Sequence, residues 1–66
     1  MASYEIMVIG SLGPAARLAF AGLAVQVEPA VTVVSGDLDH RGLQVLLNRM
    51  QGMGLELVEI RRKPRP

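Results

Sequence analysis

His40 is the only imidazole in this chain of 66 residues, and it stands among Asp37, Asp39 and Arg41. A carboxylate beside a histidine can orient the ring for general-base work. That chemistry needs a nucleophile within reach. Ser35 is the nearest hydroxyl upstream, and nothing in the spacing makes the two converge. The simpler reading is a solvated first helical turn whose acidic residues cap the helix and suit its dipole. With no cysteine and one histidine, disulfides and thiolate metal sites are excluded, and a closed zinc site has too few ligands. The sequence therefore assigns no catalytic residue, no metal ligand and no cofactor.

Gly10-Ser11-Leu12-Gly13-Pro14 is the second stretch with chemical potential. Placed between a strand and a helix, Gly10, Ser11 and Gly13 could present backbone N–H groups to an anion or a small ligand. The stretch lacks the full glycine fingerprint of a dinucleotide site and the Lys-Ser/Thr of a phosphate loop, so a plain strand-to-helix turn with a proline start is the simpler reading. The basic end, Arg61-Arg62-Lys63-Pro64-Arg65-Pro66, could touch phosphates or an acidic partner. It has no aromatic company for base stacking, since Tyr4 and Phe20 are far away in sequence. Net charge is only +1, so no basic field points to nucleic acid. Residues 62–66 are expected to form a frayed, flexible tail. Met7, Met50 and Met53 could make a pliable surface, although Met50 fits a core position better.

These groups need a scaffold, and the hydrophobic period supplies one. Tyr4 to Ile9 reads as a strand, with Tyr4, Ile6 and Val8 on one face and Met7 and Ile9 on the other. Pro14 to Ala21 reads as a short helix started by proline and closed by Gly22. Leu23 to Val27 and Val31 to Val34 read as strands joined by a turn at Glu28-Pro29-Ala30, with Ser35 and Gly36 ending the second. His40 to Gln51 is the clearest helix. Asp39 is its expected N-cap, and Leu43, Leu46, Leu47 and Met50 form an i, i+3, i+4, i+7 stripe. Leu55 to Arg61 reads as a last strand, in which Leu55 and Leu57 oppose Val58 and Ile60 without deciding which pair faces inward. The order βαββαβ predicts an α+β, ferredoxin-like fold: a four-stranded antiparallel sheet in the order 4-1-3-2, with both helices on one face. Leu43, Leu46, Leu47 and Met50 should then pack with Leu18, Ile6 and Val8. Phe20 lies off the line of Leu18, at the helix end or available to a partner.

Sixty-six residues make one small domain, residues 1–66. Such a domain is marginally stable and often leans on a metal, a disulfide or a second subunit; the composition leaves the last. Half the residues are hydrophobic. The sheet face away from the helices is expected to carry Met7, Ile9, Val34, Val58 and Ile60, interrupted by Glu5, Gln26 and Thr32, and an exposed apolar face of that kind marks an interface. No signal peptide is legible, and no apolar run approaches the roughly 20 residues that span a bilayer. A cytoplasmic protein is the expectation, with itself or another protein as partner and no membrane.

Val31-Thr32-Val33-Val34-Ser35-Gly36-Asp37, Leu46-Leu47-Asn48-Arg49-Met50 and Leu55-Glu56-Leu57-Val58-Glu59-Ile60 together resemble the second half of an ACT-type domain. Ile9-Gly10-Ser11-Leu12-Gly13-Pro14 is similar to the ligand loop of that family. The resemblance implies amino-acid sensing with ligand near Gly10, Ser11 and Gly13. In topology the chain also resembles copper-chaperone-like domains, but it lacks their loop thiols. It looks overall like the short ferredoxin-like proteins of high-GC bacteria. Three functions are therefore in view: a non-catalytic interaction module that dimerises through the open sheet face, an ACT-like sensor, and a small dimeric enzyme using His40 or Asp37.

Overall fold

A computed structural model describes residues 2–63. The chain runs β1 (Ala2–Ile9), α1 (Pro14–Ala19), β2 (Ala24–Val27), β3 (Thr32–Leu38), α2 (His40–Gly52) and β4 (Glu56–Lys63). The four strands form one antiparallel sheet in the order β2-β3-β1-β4, the expected ferredoxin-like α+β arrangement. β1 and β3 lie at the centre, while the four-residue β2 and the eight-residue β4 are the edges.

One face of the sheet is covered. Ile6 and Val8 of β1 and Val34 of β3 pack with Ala16 and Phe20 from the α1 segment, Leu46 and Met50 of α2, and Leu55. Both helices therefore lie on the same side. The α2 stripe is graded: Leu46 and Met50 are buried, whereas Leu43 and Leu47 are partly buried at its margins. Burying side chains of this size contributes about 1.5–3 kcal/mol each relative to leaving them in water.

Local chemistry sets the helix ends. The Asp39 side chain accepts a hydrogen bond from the Gly42 N–H at 2.6 Å, capping α2 as expected. Beyond the helix, Gly54 takes φ +76°, where a side chain would be strained, and the Leu55 N–H donates to the Met50 carbonyl. α1 has Pro14 in its first turn but no side-chain cap.

Register corrects several expectations. Val34 is opposite Ile6 and is fully buried, so it belongs to the helix side and not to the open face. Thr32, opposite Val8, is buried on that side as well. The residue beside Met7 on the open face is Val33. The run Val31–Val34 is β-branched throughout, so its own sequence gives no alternation from which to read a face; pairing with β1 decides it. Ser35 and Gly36 do not end β3, which continues to Leu38 by pairing with Ala2 to Glu5.

In β4 the register shifts between Met7 and Val8. Glu59 opposes Met7, Leu57 opposes Val8, and Val58 is the extra residue of a bulge. Ile60 opposes Ile6 and thus also lies on the helix side. The bulge is why strict alternation could not choose between Leu57 and Ile60. Arg62 and Lys63 are not a frayed tail: they pair with Tyr4 and Ser3 at the end of β4. Residues 64–66, the rest of the expected tail, lie outside the described residues. Leu18 is not in the core; it is 78% exposed, and Phe20, at the C-cap of α1, is buried in the core that Leu18 was expected to join.

Candidate interaction surface

The open sheet face is more polar than its expected membership suggested. Its β1 residues are Ser3, Glu5, Met7 and Ile9, alternating with the buried set. Their neighbours on this face are Val33, Ser35 and Asp37 of β3 and Glu56, Glu59, Arg61 and Lys63 of β4. Ion pairs join Lys63 Nζ to Glu5 Oε2 at 3.1 Å and Arg61 Nε to Glu59 Oε2 at 3.2 Å. Of the five interface candidates, Met7 and Ile9 stand here, Val34 and Ile60 face the helices, and Val58 sits in the edge bulge. They do not form one patch.

Exposed apolar side chains stand at both edges of the sheet: Leu57, Val58 and Ile60 on β4, and Val25 and Val27 on β2. Val25 and Val27 oppose Val34 and Thr32, so both project on the helix side of the sheet. Among the described residues no strand lies beyond them, and they are 42% and 70% exposed. β2 reads Ala-Val-Gln-Val, without a charge. Next to it lies a shallow groove of about 360 Å³, lined by Leu12, Arg17, Phe20, Leu23, Val25 and Val27. The groove exists because α1 is short. Six residues cover little of the sheet, and the chain turns at Gly22, at φ +83°, to enter β2. An unpaired strand edge offers N–H and C=O groups to another chain. An adjacent apolar groove can take the side chains that such a chain would bring. The alternation of Leu23, Val25 and Val27 against Ala24, Gln26 and Glu28 predicts a buried and a wet face; the two valines do lie on the helix side but stay exposed, because α1 is too short to cover them.

The other candidates are dispersed. Gly10 takes φ +143°, and a Cβ there would lie 2.7 Å from Leu55 Cδ2. Close approach to Leu55 therefore accounts for this glycine. Gly13 is the N-cap of α1, with open space where a side chain would project, and Ser11 is exposed. Gly10 borders a cavity of about 210 Å³ formed with the β2–β3 turn; Leu12 belongs to the groove by β2. The loop thus faces two different recesses. His40 opens α2 beside a depression of about 300 Å³ shared with Ala2, Tyr4, Leu38, Asp39 and Arg62. Ser35 is opposite Glu5 on the other face of the sheet, so the sheet separates it from His40. Among the described residues no three potential metal ligands come together, and no helix is long and apolar enough to cross a membrane.

Residues 3–61 match the family described as a domain of unknown function (DUF8691), and the chain belongs to that family. No curated protein and no solved structure matches it.

Proposed function

We propose that this member of the family is a non-catalytic interaction module that recognises a protein chain through the β2 edge and the adjoining α1 groove. The observation that carries the reading is the conjunction of an unpaired, uncharged edge strand with an apolar groove beside it. Edge strands that only face water are usually kept short, as β2 is at four residues, and are further blunted by charges, proline or bulges. β2 has no charge, proline or bulge within its span. The open sheet face supports the reading less well, because its apolar residues lie among paired charges, as on an ordinary solvated antiparallel face.

The sensing and enzymatic alternatives draw less support. A sensor needs the Gly10–Gly13 loop free for a ligand, and packing on Leu55 already accounts for Gly10. An enzyme using His40 needs a partner group, and Ser35 is across the sheet.

A photo-crosslinking residue placed at Val27, and separately at exposed Asn48 on α2, tests the proposal in cells. A docking edge gives discrete protein adducts from position 27 and none from position 48. Absence of adducts at 27, or equal yields at both positions, rejects the reading.

A further inference from the structure

Resting on that reading, we infer that the occupant of the β2 edge is a second copy of the same chain, paired antiparallel about a two-fold axis through Gln26. An isologous contact requires the surface to complement itself. β2 meets that condition in charge: Ala24-Val25-Gln26-Val27 brings no like charges face to face. β4, the other edge, is charged along its length and bulged at Val58, which interrupts the ladder that a second strand would extend.

Register follows from parity. Directly opposed residues of an antiparallel pair share a face. Val25 and Val27 are both on the helix side. Setting Gln26 against its own copy places Val25 opposite the partner's Val27, and Val27 opposite the partner's Val25. Four valines then form one apolar seam, and the helices of both copies cover the same face of a continuous eight-stranded sheet. The two glutamines meet on the open face, where their amides can bond to each other. Shifting the pairing by one residue would set Val25 against Gln26 and turn the two helix layers to opposite faces, which splits the seam.

Area permits the contact. A standard interface takes about 800 Å² from each partner, roughly a sixth of the 4570 Å² exposed by this chain. The β2 edge and its groove, with Leu12, Leu23, Val25 and Val27 along them, are placed to provide the apolar centre of such a contact. A second subunit is also the stabiliser that a cysteine-free domain of this size can still recruit.

The absence of cysteine gives a clean test. In the inferred dimer the two Gln26 Cα atoms are about 4.5–5.5 Å apart, within the usual reach of a disulfide. Gln26→Cys should therefore form an interchain disulfide under mild oxidation, and Asn48→Cys should not. Sedimentation should show the wild-type chain as a dimer, and Val25→Lys should weaken it at least about 10-fold, because a strand charge opposes edge pairing. A wild-type chain that stays monomeric up to about 100 µM overturns self-pairing, since mass action favours assembly at high concentration. Equal disulfide yields at positions 26 and 48 overturn it too. If Val25→Lys fails to fold, the Gln26→Cys comparison still decides. Adducts from Val27 with a mass other than that of the dimer would overturn the second copy while leaving the interaction module standing.

Discussion

The two flanks of this sheet are built differently. On the β4 side, α2 runs for 13 residues, is capped by Asp39, and buries Leu46 and Met50. β4 itself is charged, bulged and paired through Glu5–Lys63. On the β2 side, α1 has six residues and no side-chain cap, Leu18 points to water, and β2 is four uncharged residues long. Charge and a bulge blunt the β4 edge, whereas β2 is limited only by its length of four residues. The flank without charge or bulge carries the apolar groove beside β2. The contrast teaches that the free surface of this protein is finished selectively, and that the unfinished part is the place to look for function.

Breaking the finished flank should have the largest effect. Leu46→Ala removes a buried side chain that joins α2 to the sheet, and should cost about 2–5 kcal/mol. Chemical denaturation will read this directly. Because a single core holds both flanks, the whole domain should unfold in one transition. A mutant that loses α2 while retaining the β1–β3 pairing would show that the flanks are independent.

Removing the α2 cap is milder. Asp39→Ala leaves the Gly42 N–H without its side-chain partner and should cost about 0.5–2 kcal/mol. Asp39→Asn keeps an acceptor and should recover most of the loss in thermal melts. Equal losses for both variants would mean that the charge matters more than the hydrogen bond. Weaker still is Lys63→Ala. The pair with Glu5 is half in water, so its loss should cost about 0.2–1 kcal/mol and shrink with added salt. A measurable cost would confirm that the chain is held in the sheet as far as residue 63.

Legibility divided along physical lines. Element order could be read because each segment changes the period of its hydrophobic residues, and the Leu43–Met50 stripe and the Asp39 cap depend only on neighbours in sequence. The face of Val34 could not be read, because the β-branched run around it alternates with nothing and Ile6 supplies the register from 28 residues away. The bulge at Val58 leaves no local mark, so the faces of Leu57 and Ile60 stayed tied until pairing with β1 resolved them. Arg62 and Lys63 looked like a tail because their partners, Tyr4 and Ser3, lie at the other end of the chain. The candidate surface suffered most from this. It was placed on the open face by parity, and parity is the property that long-range register decides.

The smallest expected effect lies on the unfinished flank. Gly13 occupies the N-cap of α1 with an extended backbone, φ −88° and ψ −176°, which a side chain can adopt, and there is open space for a Cβ. Gly13→Ser would supply the missing cap hydrogen bond and reduce the freedom of the unfolded chain. The two contributions together should stabilise the domain by about 0.5 kcal/mol. Two-state denaturation with matched slopes can resolve a gain of that size when the wild type is measured beside it. The same substitution examines the ligand-loop idea, because a small molecule cradled by backbone at Gly13 would meet the new side chain. A variant more stable than wild type, with the β2-edge crosslink unchanged, fits a loop that serves only to start a helix. Destabilisation would mean that Gly13 is held in its place by something other than the geometry of α1.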